Sequence, residues 1–434
     1  MSITEITRVE RFPLETTKLL GSFIDLPAPG TARDVYNFDC AGWAVGRDGR
    51  ARVVEVVARD GTIRHIPITL NRPGVAREYP DVADAAGVGF WAPISVIGLD
   101  QEFDLILRVV LDDRTRVQIG RIAGRHTTVQ SQYVPTIQPL LVTSLGRSGT
   151  TFLMRLLSAH PSVVAYRAYP YEMRAARYWM QLLGALIEPA TQAGSANGLT
   201  PRTMQWWVHH HPFCRGAQGR DAGLQEWFGG RLVEQVAEVC QRSIEDTYRR
   251  VAATQGQTAP RYFSEKYLPD EVPGIVRELY PQAREIFLVR DLRDVLCSIR
   301  SFNAKRGSLD FSRDQVSSEQ EYILHLRDEA LRLLASWKSR DMRSILVRYE
   351  DLVLRPTETL TSILDYLELD SRSGRIHELL ESASVATPEF VEHRTTDTAT
   401  DSVGRWQRDL DADSLALCND VFSSVLAEFG YPIL

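Results

Sequence analysis

Residues 139 to 157, PLLVTSLGRSGTTFLMRLL, combine the residue types that hold anions. Gly146 and Gly149 lack a Cβ, so backbone N–H groups around them can converge on phosphate-like oxygens. Thr150 and Thr151 add hydroxyl donors where an amphipathic helix begins. The unpaired N–H groups and positive dipole end of that helix favour a doubly charged group. The loop fails the nucleoside-triphosphate pattern G-x4-G-K-[ST] twice, with Ser144 at the first glycine and Thr150 at the lysine. The cation is instead Arg147, inside the loop, whose planar fork can reach an oxygen bridging two acidic groups. This argues against an ordinary ATPase or kinase. A turn that used glycine and threonine only for capping would account for Gly149 and Thr150 but not for Arg147.

Residues 285 to 302, EIFLVRDLRDVLCSIRSF, repeat the arrangement. The apolar strand Ile286 to Val289 delivers Arg290 to its carboxyl end, the edge at which open α/β sheets bind ligands. Val295, Leu296 and Ile299 read as a helix, with Ser298 about two turns in from the strand end. Arg290 and Ser298 could grip one phosphate from two sides. Alternatively, Arg290, Asp291, Arg293 and Asp294 are surface ion pairs and Ser298 is a helix-surface hydroxyl.

Together the two segments resemble the sulfotransferases that use 3'-phosphoadenosine 5'-phosphosulfate (PAPS) and release PAP. Further pieces are similar to the branch with tyrosylprotein sulfotransferases and many bacterial sulfotransferases: SAHP at 158 to 161, YFSEKYLP at 262 to 269, ILVRYEDLVLRP at 345 to 356 and GRW at 404 to 406. The resemblance covers about residues 138 to 410. It implies that Arg147, Ser148, Gly149, Thr150 and Thr151 hold the 5'-phosphosulfate, and that Arg290 and Ser298 hold the 3'-phosphate. It further implies that Tyr349 lies near the nucleotide and that Arg405 closes over it. Arg394 and Thr395 are similar to a short Arg-Ser element of the family, with Thr replacing Ser.

Sulfuryl transfer, like phosphoryl transfer, is mostly positioning plus positive charge where the bridging bond opens. Arg147 is the candidate for stabilising the leaving oxygen, assisted by Thr150 and Thr151. Lys266 matches a lysine that relatives bring to the active site; otherwise it is a solvated surface lysine. An acceptor hydroxyl also needs a base. Glu172, in AYPYEMRAARYW, stands near an active-site glutamate of the tyrosylprotein branch, or is an ordinary helix N-terminal carboxylate. His209, with His210 and His211 in WWVHHHPF, competes for the role. The neighbouring Trp206, Trp207 and Phe213 read either as an acceptor-binding wall or as core. No Cys or His spacing suggests a metal, and the family chemistry needs none.

These residues require a particular scaffold. Strands ending at the anion loops, alternating with amphipathic helices at 320 to 340 and 357 to 368, give an α/β fold: a P-loop-like parallel sheet with flanking helices. Residues 172 to 253 read as a mostly helical insertion that forms the acceptor lid. Residues 1–130 differ in texture, with short alternating runs such as ARVVEVVAR and FDLILRVVL between turns, and suggest a small antiparallel β-sandwich. Phrases such as GWAVGRDG and GFWAPI resemble β-domains that precede some bacterial glycosyl- or sulfotransferases. Such a domain would bind a glycan acceptor, mediate subunit contact in a homodimer, or serve structure alone. Residues 131–138 read as the linker, and 139–434 as the transferase domain.

The chain has 434 residues, 44% hydrophobic and 24% charged, with a net charge of −6, so it can bury two cores and carries no footprint for nucleic acid or anionic membrane. Five scattered cysteines suit a reducing compartment, and no signal peptide or membrane-spanning window is visible. The expectation is a cytoplasmic, PAPS-dependent sulfotransferase acting on a hydroxyl of a small molecule or glycan, either a phenol, a sugar or another alcohol. The rival readings are an atypical nucleotide kinase and a carbohydrate-binding protein with a degenerate transferase domain.

Overall fold

Period-two patterning makes the N-terminal residues strands: from Phe103 onward, every second side chain of Glu102–Leu111 is buried. The computed structural model describes residues 2–59, 61–80, 82, 87–187, 223, 227–270, 272–340, 343–384 and 394–433. They fall into two compact units, one of residues 1–134, 176–244 and 270–281 and the other of 135–175, 245–269 and 282–434.

In the first unit the strands are β1 (Thr4–Arg11), β2 (Leu19–Leu26), β3 (Ala32–Arg33), β4 (Asn37–Gly46), β5 (Ala51–Ala58), β6 (Gly61–Pro67), β7 (Gly89–Ser95), β8 (Glu102–Leu111) and β9 (Arg116–His126). They form an antiparallel sheet of order β3-β1-β9-β8-β5-β6 and a second of order β2-β4-β7. Phe38 of β4 stacks on Phe103 of β8 with ring centroids 5.9 Å apart, so the two sheets share an apolar interior. This is the β-sandwich that the alternation predicts. The helical segments Ala175–Ile187 and Leu232–Thr254, within the predicted insertion, belong largely to this unit.

The second unit is built on the parallel strands β10 (Gln138–Ser144), β11 (Val163–Val164), β12 (Tyr262–Tyr267), β13 (Arg284–Val289) and β14 (Ser344–Arg348), in the order β11-β12-β10-β13-β14. Three of its helices matter for the site: α1 (Thr150–Ala159), α2 (Leu292–Arg306) and α3 (Glu319–Lys338). One core packs α1 and the helices Pro356–Tyr366 and Ser373–Ser384 against one sheet face; a second packs α2, α3 and Ala412–Glu428 against the other. The unit is therefore an α/β sandwich with helices on both faces.

The strand order decides where the chemistry sits. Strand β10 lies between β12 and β13, paired in register from Leu140↔Arg284 to Ser144↔Leu288. The Ser144 hydroxyl donates to the Leu288 carbonyl at 2.6 Å and ties the two strand ends together. The glycine loop, Arg290 and Lys266 consequently emerge at one carboxyl edge of the sheet.

Candidate functional site

The loop after β10 reaches α1 through left-handed backbone at Arg147 (φ 64°) and Gly149 (φ 92°). Glycine accepts that conformation, and space also demands it at position 149, where a Cβ would lie 2.2 Å from Cδ2 of Tyr349. At Gly146 a Cβ would lie 2.6 Å from the ring of Phe311. Arg147 is a non-glycine residue in a sparsely populated region, and its side chain is clasped to match. Its Nε donates to the Ser298 hydroxyl at 3.2 Å, and its guanidinium lies 4.6 Å above the Phe302 ring. Burial pushes Arg147 down to about 10, with Tyr169 opposing the drop and the neighbouring Arg290 adding to it.

Arg290, buried at the end of β13, donates to the Arg147 carbonyl at 3.0 Å and the Ser402 carbonyl at 2.6 Å, and lies 4.7 Å above the Tyr349 ring. Its Nε is buried without a partner. Ser298, buried on α2, meets the Thr395 hydroxyl at 3.5 Å. Arg405 donates to Thr395 at 2.9 Å, to Ser301 at 2.8 Å and to Asp409 at 2.7 Å. Its fork is thus spent on protein oxygens. Arg394 and Thr395 line the cavity, whereas Arg405 stands behind them. The Tyr349 hydroxyl meets Ser402 at 2.9 Å.

On the other side of the loop, Lys266 is 5% exposed, which removes the solvated-surface alternative. Its Nζ donates to the Thr151 hydroxyl at 2.8 Å, the Pro170 carbonyl at 2.6 Å and Glu172 Oε1 at 3.1 Å. Desolvation pushes Lys266 down to about 8, against the opposing pull of Glu172. The other oxygen of Glu172 accepts from Arg174 at 2.7 Å. Glu172 lies ahead of the helix Ala175–Ile187, between two cations.

These groups line one cavity of about 880 Å³. It brings together Arg147, Gly149, Thr150, Thr151, Glu172, Lys266, Arg290, Ser298 and Tyr349. Ser148 is buried and does not line it, and His209 lies outside the described residues. The Asp-Leu-Arg-Asp turn is interior, not surface. Arg293 is 0% exposed, pairs with Asp291 at 2.7 Å, donates to Asn419 and the Pro432 carbonyl, and stacks 4.0 Å from the Trp406 ring. Asp294 accepts from the backbone N–H groups of Gly404 at 2.7 Å and Trp406 at 3.0 Å, and burial raises it to about 6.

The family described as "Sulfotransferase family" matches residues 139–373, more than half of the chain. The chain belongs to the sulfotransferase family. It is 24% identical over 242 residues to a protein-tyrosine sulfotransferase of Drosophila melanogaster, covering 55% of this chain and 39% of that protein. The same identity, over 55% of this chain and 69% of the relative, holds for a putative protein-tyrosine sulfotransferase of Caenorhabditis briggsae. The chain thus spans well under half the length of the Drosophila relative. Among solved structures it is similar to a sulfotransferase domain from the curacin biosynthetic pathway, at 14% identity and a TM-score of 0.41, covering 69% of this chain and all of that domain.

The family match opens at the strand before the glycine loop and closes before Arg394, Thr395 and Arg405. Sequence reasoning alone missed several residues that line the cavity. Arg174 had a signal, a cation two residues after Glu172. Ser402 and Phe311 had none. Phe311, which like Ser312 adopts φ of 61°, brings its ring against Gly146. Among the described residues, no helix is long and apolar enough to cross a membrane.

Proposed function

We propose that the chain is an enzyme that moves the sulfuryl group of PAPS to an acceptor hydroxyl and releases PAP. The observation that carries this reading is the convergence of two anion cradles, with Arg147 bonded to Ser298 and Arg290 bonded to the Arg147 carbonyl. The donor set suits a bis-phosphorylated ligand: the orphaned, buried Arg290 Nε and the Ser298 hydroxyl would take the 3'-phosphate. Backbone N–H groups of the glycine loop, with Thr150 and Thr151, would take the 5'-phosphosulfate. When bound, PAPS supplies an activated sulfuryl group on a phosphate leaving group.

The remaining roles belong to the protein. Glu172 accepts the proton of the acceptor hydroxyl, and Lys266, held against Thr151, keeps positive charge beside the transferring group. Arg147 stabilises the departing oxygen. Tyr349 bounds the nucleotide slot, and Arg405 holds Thr395 in place for the 3'-phosphate. The acceptor is a phenol, sugar or other alcohol of a metabolite or glycan, with the N-terminal β-sandwich (1–130) as an accessory module ahead of the 131–138 linker and the 139–434 transferase domain. Buried thiols at Cys40, Cys240, Cys297 and Cys418 agree with a reducing, cytoplasmic setting.

Calorimetry with PAP tests the cradles directly, and a mass-spectrometric screen of acceptors with PAPS, seeking the gain of one SO₃ group, tests the reaction. A calorimetric response to nucleoside triphosphate but not to PAP would overturn the reading in favour of a kinase.

A further inference from the structure

Arg290 owes its place to more than the strand that carries it. The ladder between β13 and β14 ends at Val289↔Arg348, so the Asp291 N–H, buried two residues on, falls beyond it. A buried backbone donor needs a partner. Glu350, two residues past the end of β14, supplies one: its Oε1 accepts from the Asp291 N–H at 3.0 Å. The peptide that follows Arg290 is thereby held by a side chain. Tyr349 and Glu350 are consecutive, and the first lines the cavity while the second stands behind it, 7% exposed.

The other oxygen of Glu350 is engaged as well. Tyr431, itself buried, donates to Glu350 Oε2 at 2.7 Å. Burial, with Glu350 beside it, holds the Tyr431 phenol well above its ordinary value, so the hydroxyl stays a donor. Arg348 braces that residue, with its guanidinium 4.5 Å from the ring and bonded to the Gly430 carbonyl at 3.0 Å. A second route leaves Asp291 through its carboxylate. Arg293 holds both of its oxygens, at 3.0 and 2.7 Å, and donates in turn to the Pro432 carbonyl at 3.0 Å. The two routes from Asp291, one through its N–H and one through its carboxylate, therefore end on the consecutive residues Tyr431 and Pro432. None of Asp291, Arg293, Glu350, Tyr431 and Pro432 lines the cavity.

We infer that Glu350 and Tyr431 are positioning residues for recognition of the 3'-phosphate: they fix the peptide after Arg290 and with it the direction in which the guanidinium enters the cradle. The inference rests on the proposed use of PAPS. Arg290 has to meet the phosphate while its fork bonds the Arg147 and Ser402 carbonyls, so a small rotation of its backbone turns its unpartnered Nε away from the ligand. The glycine loop, which receives the 5' end, is anchored separately by the bond from Ser144 to the Leu288 carbonyl. The effect of Glu350 and Tyr431 consequently falls on one end of the nucleotide.

Calorimetry with PAP and with adenosine 5'-monophosphate, which lacks the 3'-phosphate, tests this. In Tyr431→Phe and in Glu350→Ala the preference for PAP over the monophosphate should drop by about fivefold or more, part of the value of a hydrogen bond to a charged group, while monophosphate affinity changes by less than about twofold. Glu350→Gln should keep the preference to within about twofold, because its amide still accepts from the Asp291 N–H and can donate to the Tyr431 oxygen. Tyr431→Phe removes a single oxygen and decides the matter if Glu350→Ala does not fold. A merely structural role would weaken both nucleotides together. An unchanged preference in Tyr431→Phe, an equal loss for both nucleotides, or a loss in Glu350→Gln as large as in Glu350→Ala overturns the inference while leaving the PAP-based reading intact. Failure of the unaltered protein to bind PAP overturns both.

Discussion

Arg147 and Ser298, 151 residues apart in the chain, are joined by a 3.2 Å hydrogen bond. The bond connects the glycine loop to the helix that carries the second cradle, so one ligand can engage both. It also explains how Arg147 keeps a left-handed backbone with its side chain extended toward α2.

Replacing Arg147 by Ala should lower turnover of PAPS, followed as PAP formation, by about 10²- to 10³-fold, the usual consequence of losing one preorganised donor at developing charge. The thermal midpoint should fall as well, since the change removes the Ser298 bond and the packing on Phe302, so turnover is compared below the lower midpoint. Unaltered turnover would remove Arg147 from the reaction.

Ser298→Ala should weaken PAP binding by about 10-fold or more, because the hydroxyl bonds a charged phosphate. Adenosine 5'-phosphosulfate, which lacks the 3'-phosphate, should bind both proteins alike. Calorimetry with the two nucleotides checks this, and an equal loss for both would relocate Ser298.

Lys266 gives a pH signature. With its folded-state value near 8, kcat/KM should decline on an alkaline limb centred there as the ammonium loses its proton. Between about 8 and the lysine reference of 10.5, the unfolded chain binds more protons at this site than the folded one, so its contribution to stability rises with pH. Activity should thus fall over the range in which the folding penalty from this group is relieved, which separates the limb from denaturation. Lys266→Arg should shift the limb to higher pH.

Asp294 predicts the opposite slope. Its folded-state value is raised from 3.8 to about 6, so its contribution to stability is full below 3.8 and is lost as pH rises through 6. Asp294→Asn should flatten that part of the stability profile in urea titrations. It should also raise KM for PAPS, since Asp294 holds the backbone of Gly404 and Trp406 on either side of Arg405.

Arg293→Ala should destabilise the protein by about 3–5 kcal/mol, the usual penalty for stranding a buried charge, here Asp291. Denaturant midpoints read this directly; a loss below 1 kcal/mol, the scale of an exposed pair, would contradict the interior assignment.

The two cradles were legible because their chemistry is local. Gly146, Arg147, Gly149 and the threonines lie within six residues, and Arg290 follows its strand directly. Alternation along β8 likewise exposed the antiparallel sheet, whereas β5 buries Val54, Glu55 and Val56 in succession and departs from the alternation expected of it. What the sequence left open depended on strand order. Whether Arg293 and Lys266 were buried or solvated turned on β12 and β13 flanking β10, a fact no local pattern encodes. Phe311 and Glu329 reach the cavity through a left-handed turn and the rotation of α3, neither marked by residue type. The bonds of Arg405 to Thr395, Ser301 and Asp409 likewise lie beyond what its motif encodes.

The closeness of Tyr349 to Gly149 makes the two positions a single unit for redesign. Even a methyl group at position 149 would have to displace an aromatic ring from β14's end, so a side chain there means rebuilding a segment two hundred residues downstream as well. The glycine and the ring are two halves of one lock.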